Sequence, residues 1–139
     1  MRTWVRDPHA GGVKIPKRVQ ERTKQRIIAY AETHYAGHYT RLAIRFRGQF
    51  CYIDAYTEPA VPADFPPPGF PESRGEYLAR VRSTPLHLCR LRYFGDEDSW
   101  TLAFYTYSHE QYEPCVFDNG TFYSTPEEGF ATSAVYLQD

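Results

Sequence analysis

Hydrophobic and polar residues alternate along residues 41–56, RLAIRFRGQFCYIDAY, with the period of two that is typical of β-strands. The pair Gly48-Gln49 interrupts this alternation and suits a two-residue type II′ turn, whose first central position favours glycine. A hairpin closed by this turn pairs Arg47 with Phe50. One face is then apolar, with Leu42, Ile44, Phe46, Cys51, Ile53 and Ala55, and the other carries Arg41, Arg45, Arg47, Phe50, Tyr52, Asp54 and Tyr56.

The same pattern returns in residues 86–107, LHLCRLRYFGDEDSWTLAFYTY, where a loop at residues 95–98 pairs Tyr93 with Trp100. The predicted core face holds His87, Cys89, Leu91, Tyr93, Trp100, Leu102 and Phe104, and the opposite face holds Leu88, Arg90, Arg92, Tyr105 and Tyr107. Two independent hairpins therefore place arginine and tyrosine on the face that points away from the core.

Three helices and a third hairpin complete the prediction. Residues 16–36 form an amphipathic pattern that starts at Pro16 and ends before Gly37, and residues 72–82 suit a short helix. The pair Asn119-Gly120 favours a type I′ turn and predicts a hairpin between residues 113–117 and 121–124. A last short helix starts after Thr125, which suits an N-cap.

This order of elements predicts an α+β fold with a largely antiparallel sheet of about six strands in three hairpins. Residues 1–13 predict a flexible N-terminal arm, and residues 14–139 predict a single domain, which suits a chain of 139 residues. Residues 57–71 contain six of the 11 prolines and predict an extended surface loop.

Composition excludes several classes of protein. Aromatic residues make up 17% of the chain, which favours a globular fold over disorder, and no apolar run approaches the length of a membrane span. The three cysteines are widely spaced in apolar segments, which favours reduced thiols and a cytoplasmic location over disulfides. No metal-binding, nucleotide-binding or nucleophile motif is present, so we expect no cofactor and no metal.

Charge is distributed unevenly along the chain. Residues 1–50 carry 11 lysines and arginines against 3 acidic residues, whereas residues 51–139 carry 5 against 14. The two halves either neutralise each other across the folded surface or leave a basic binding face. The most basic candidate surface is named here the Arg/Tyr face, and it comprises Arg41, Arg45, Arg47, Tyr52, Tyr56, Arg90, Arg92, Tyr105 and Tyr107.

The Arg/Tyr face predicts a binding module for an anionic ligand, with nucleic acid preferred, because guanidinium groups bind phosphate and tyrosine rings stack on bases. A competing interpretation is that the proline-rich loop packs on the tyrosines and closes the face. A second alternative is a small enzyme with a pocket formed by His109, Glu110 and Asp54, since a histidine beside carboxylates can act as a general base. A third is a homodimer formed through a sheet edge or the tyrosines.

Overall fold

The computed structural model describes residues 10–137, which form three α-helices and one five-stranded sheet. The helices are α1 (Lys17–His34), α2 (Arg74–Ser83) and α3 (Pro126–Ser133), and a 3₁₀ turn, Ala134–Leu137, follows α3. The strands are β1 (Arg41–Arg47), β2 (Phe50–Tyr56), β3 (Leu86–Tyr93), β4 (Trp100–Thr106) and β5 (Gln111–Cys115). The sheet order is β1-β2-β3-β4-β5, with every neighbouring pair antiparallel. The predicted α+β class is confirmed, with five strands instead of about six.

The two hairpins predicted from alternation have the expected register. Arg47 pairs with Phe50 across β1 and β2, and Tyr93 pairs with Trp100 across β3 and β4. Gly48 adopts a φ of 60° in the first turn, a left-handed conformation that glycine takes without strain. Turn chemistry and the period of two therefore determine which side chains meet across these strands.

The hydrophobic core lies between one face of the sheet and the helices α1 and α3. The buried stripe of α1 consists of Val19, Thr23, Ile27 and Ala31, at the spacing of four that one helix face requires. Phe130 of α3 packs against α1, with its ring 6.3 Å from that of Tyr30. No helix in the described part of the chain is both long and apolar enough to cross a membrane.

A β-bulge in β3 changes which side chains face the core. Ile53 pairs with Cys89 but the next residue, Asp54, pairs with His87, so that Leu88 is the extra residue. Leu88 is fully buried, and the ring of His87 lies on the other side of the sheet beside Asp54. The prediction that placed His87 in the core and Leu88 on the opposite face was therefore wrong, because alternation does not continue through a bulge.

The predicted third hairpin forms its turn but not its second strand. The Asn119-Gly120 turn is closed by two backbone hydrogen bonds: the Phe117 N–H donates to the Thr121 carbonyl oxygen, and the Gly120 N–H donates to the Phe117 carbonyl oxygen. Beyond it, Ser124 makes only an isolated bridge to Trp100, at the start of β4. Residues 121–124 therefore reach the start of β4 instead of running along β5, and the described residues contain no sixth strand.

The predicted N-terminal arm falls largely on residues 1–9, which lie outside the described residues. Its described part runs past the end of β3, where the Val13 N–H donates to the Tyr93 carbonyl oxygen at 2.9 Å. The guanidinium of Arg92 donates to the Gly11 carbonyl oxygen at 2.8 Å. These two hydrogen bonds join residues 10–13 to the sheet.

Candidate anion-binding face

All nine residues of the Arg/Tyr face lie on the side of the sheet opposite the core. Arg41 is paired with Tyr56, and two rows further along the face Arg45, Tyr52 and Arg90 lie side by side across β1, β2 and β3. The face is open beside β1, where a depression of about 470 Å³ is lined by Arg45, Phe46, Arg47, Tyr52 and Tyr112. The two hairpins therefore combine into one surface, as the sequence predicted for strands of a single sheet.

Aromatic rings hold the guanidinium groups of this face in place. The Arg41 Cζ lies 4.0 Å from the ring centroid of Tyr56, and the Arg45 Cζ lies 4.9 Å from that of Tyr52. Arg90 lies over Phe50 in the same way, at 4.2 Å. These are cation–π distances, and each contact restricts a long side chain without neutralising its charge.

Few carboxylates balance these arginines. Arg41, Arg47 and Arg90 form no ion pair with any described residue, whereas Arg45 Nη2 lies 3.4 Å from Asp54 Oδ2. Asp54 is the only carboxylate that the five described strands place on this side of the sheet. The Arg/Tyr face therefore carries a clear excess of positive charge.

Two arginines of the basic helix α1, unlike most of those on the sheet, form ion pairs with carboxylates. Arg22 donates two hydrogen bonds to the Glu97 carboxylate, and Arg26 pairs with both Asp98 and Glu127. The hydrogen bond from Arg22 lowers the pKa of Glu97. Arg22 and Arg26 of α1 are thus neutralised by acidic residues from the second half of the chain, whereas most arginines of the Arg/Tyr face have no such described partner.

A row of tyrosine rings continues the face toward β5. The ring of Tyr112 lies 5.5 Å from that of Tyr52 and 5.1 Å from that of Tyr105, and Tyr107 follows at 4.9 Å from Tyr105. Burial, and next the nearby Asp54 carboxylate, raise the pKa of Tyr112. The sequence prediction missed Tyr112, although alternation across a tight turn after β4 places it opposite Tyr105.

The proline-rich loop packs against α2. The ring of Phe65 lies 4.7 Å from that of Tyr77, and Phe70 lies 6.1 Å from the same ring. The Arg74 guanidinium donates to the Pro62 carbonyl oxygen at 2.7 Å. Among the described residues, no ring of this loop contacts a ring of the Arg/Tyr face, and Tyr107 remains 46% exposed.

The residues of the predicted enzyme pocket have separate partners. His109 lies in the turn between β4 and β5 and its Nδ1 contacts the Glu113 carboxylate, whose pKa is lowered chiefly by that hydrogen bond. Glu110, in the same turn, is exposed and has a φ of 53°. Asp54 instead contacts His87, whose Nδ1 lies 2.9 Å from Asp54 Oδ1. The structure therefore places Asp54 beside His87, which the sequence analysis had assigned to the core, because alternation does not reveal the bulge at Leu88.

No protein-family model, curated protein or solved structure matches the chain. The chemistry of the Arg/Tyr face is therefore inferred from its own residues. The described residues contain no group of three or more His, Cys, Asp or Glu side chains arranged to hold a metal ion. Cys51 and Cys89 are buried on the core side, away from the Arg/Tyr face. The homodimer and the cytoplasmic location stay predictions.

Proposed function

We propose that this protein binds single-stranded nucleic acid through the Arg/Tyr face. The observation that carries the proposal is that Arg41 and Arg90 are held on aromatic rings yet form no ion pair with a described carboxylate. A cation that is positioned but not neutralised retains its attraction for an anion, and little side-chain entropy remains to be lost on binding.

Phosphate groups are the anions that suit this surface. The planar fork of a guanidinium matches the geometry of two phosphate oxygens, and a row of such forks follows a backbone better than one isolated site. Arg41, Arg45 and Arg47 are all exposed along β1, and Arg90 lies two strands further into the sheet. This arrangement offers several phosphate contacts on one continuous surface.

Bases would stack on the same surface. In single-stranded recognition, bases stack on aromatic rings and on the planes of arginine guanidinium groups. The ring of Tyr107 is exposed, the guanidinium of Arg41 lies over Tyr56, and those of Arg90 and Arg92 lie over Phe50. A single strand is favoured over a duplex because only unpaired bases can present their faces to these groups.

Fluorescence anisotropy with labelled oligonucleotides tests this function. Wild-type protein is expected to bind single-stranded RNA and DNA at low salt, with weaker binding of a duplex of the same sequence. Three to five phosphate contacts predict that log K falls with log[salt] with a slope of about −2 to −4. Absence of binding to every oligonucleotide at 20 mM to 50 mM salt would refute the proposal.

A further inference from the structure

Asp54 and His87 form a buried-to-exposed pair at the centre of the Arg/Tyr face. The Asp54 side chain is 7% exposed and that of His87 is 33% exposed, and their polar atoms lie 2.9 Å apart. A carboxylate only accepts hydrogen bonds, so the His87 Nδ1 must carry the proton that joins them. The lone pair of a neutral His87 is then on Nε2, which forms no hydrogen bond with any described residue.

This arrangement is the one that makes a histidine a general base. A carboxylate at Nδ1 fixes the tautomer and ring orientation, and it stabilises the imidazolium that forms when Nε2 takes a proton. The rings of Tyr105 and Tyr107, at 4.7 Å and 6.5 Å from that of His87, further restrict the imidazole. Asp54 is therefore a positioning residue and His87 is the candidate catalytic residue.

Cations that could hold a phosphate adjoin this pair. Arg45 contacts the same carboxylate, at 3.4 Å. Arg90 is the next residue of β3 on this face after His87, because Leu88 and Cys89 both point into the core. Same-face neighbours along a strand are about 7 Å apart, and the bulge adds one residue, so the guanidinium and the imidazole can reach one bound nucleotide.

We infer that His87 cleaves single-stranded RNA bound to the Arg/Tyr face, using the ribose 2′-hydroxyl as nucleophile. This inference rests on the proposed function. RNA is the substrate class because it carries its own nucleophile next to each phosphate, and the nearest cysteines, Cys51 and Cys89, are buried on the other side of the sheet. DNA lacks this hydroxyl, so it would bind without being cleaved.

The step balances without an oxidant or reductant. His87 Nε2 takes the proton of the 2′-hydroxyl while the 2′-oxygen forms a bond to the adjacent phosphorus, and the bond from phosphorus to the 5′-oxygen breaks. The leaving 5′-oxygen takes a proton from the hydroxyl of Tyr107. This hydroxyl accepts a hydrogen bond from the backbone N–H of His87 at 2.7 Å, so its own proton is available to donate. The products are a 2′,3′-cyclic phosphate and a 5′-hydroxyl, and His87 then passes its proton through water to Tyr107.

The test uses a labelled single-stranded RNA and the same sequence with 2′-deoxyribose throughout. Wild-type protein is expected to bind both and to cleave only the RNA, leaving ends that mass spectrometry identifies as 2′,3′-cyclic phosphate and 5′-hydroxyl. H87Q is expected to lower the cleavage rate by about 10²–10⁴-fold, the usual contribution of a general base, with binding changed little. H109Q, which alters an exposed histidine of the neighbouring turn, is the matched control and should cleave at the wild-type rate.

Asp54 provides a readout that a structural role would not produce. D54N removes the only described carboxylate of the face and also the orienting partner of His87, so RNA binding should tighten while the rate of cleavage falls. A thermal melt confirms that each variant is folded.

The outcomes separate this inference from the proposed function. Binding of RNA without cleavage, or cleavage that H87Q and H109Q support equally, would overturn the inference and leave the nucleic-acid proposal standing. Absence of binding to either strand would overturn both. Loss of cleavage in H87Q with binding retained supports both.

Discussion

The Nδ1 atom of His87 lies 2.9 Å from Asp54 Oδ1, although strict alternation along the two strands places these side chains on opposite faces of the sheet. The bulge at Leu88 accounts for the contact, since one extra residue returns His87 to the side on which Asp54 lies. It also brings Leu88 and Cys89, two consecutive apolar residues, into the core. The bulge thus couples the core packing of β3 to the chemistry of the Arg/Tyr face.

This coupling makes Leu88 a structural determinant of the fold. L88A removes a fully buried side chain and is expected to lower the free energy of unfolding by about 2–5 kcal/mol. L42A, at a partly buried position on the edge strand β1, is the control and should cost less. Chemical denaturation measures both variants, and a cost for L88A below that for L42A would contradict the bulged register.

Gly129 lies at the close contact between α3 and β3. A Cβ at this position would lie 2.6 Å from Leu91 Cδ2, and Leu91 is fully buried and has little room to move. The gain in helix propensity from G129A is up to about 1 kcal/mol, while overpacking a core costs about 1–3 kcal/mol. We therefore expect G129A to destabilise the protein in chemical denaturation.

Gly75 provides the matched control for that substitution. It lies in α2, and a Cβ there would have no atom within 4 Å. G75A should therefore retain or raise stability, by up to about 1 kcal/mol for the helix. Equal effects of G75A and G129A would show that the contact with Leu91 is not limiting.

The buried thiols predict a loss of stability at alkaline pH. Burial raises the pKa of Cys89 to about 12, whereas an unfolded thiol titrates near about 8.5. Between these values the unfolded chain has lost a proton that the folded chain keeps. The contribution of this thiol to the free energy of unfolding is therefore fully present below about pH 8.5 and is lost as pH rises toward 12. The free energy of unfolding should decrease between pH 8 and pH 10, by roughly 1 kcal/mol or more for this thiol.

C89A isolates the contribution of that thiol from those of tyrosine and lysine. Denaturation of the variant between pH 8 and pH 10 should give a shallower slope than denaturation of the wild type. Identical slopes would show that Cys89 titrates in the folded protein as it does in the unfolded chain.

Local rules in the sequence predicted much of this architecture. The registers of β1-β2 and β3-β4 follow from alternation and from turns that occupy a fixed number of residues, so that Arg47 meets Phe50 and Tyr93 meets Trp100. These registers determine on which face each of the nine residues lies, and the pairing of β2 with β3 then joins the two hairpins into one surface. The residues of the Arg/Tyr face could therefore be named from the sequence, whereas the pairing of the two hairpins and the ligand could not.

The failures have non-local causes. The Asn119-Gly120 turn forms, but Ser124 bridges to Trp100 of β4 instead of continuing a strand along β5, and a contact with a distant strand is not encoded in the turn itself. The bulge at Leu88 likewise depends on how β2 and β3 pair over distance. It moved His87 from the predicted core to the candidate site, and no local pattern marked it.

The most direct test of nucleic-acid binding by the Arg/Tyr face compares two double variants, each of which removes two positive charges. R47Q with R90Q alters the Arg/Tyr face, whereas R18Q with K24Q alters exposed positions of α1. Titration of single-stranded RNA by fluorescence anisotropy should show at least about a tenfold loss of affinity for the first pair and a shallower salt dependence, since each lost phosphate contact removes about 0.7 from the slope. The α1 pair should stay within about twofold of wild type, a difference of about 0.4 kcal/mol. Equal losses for the two pairs would contradict the claim that the Arg/Tyr face is the binding surface.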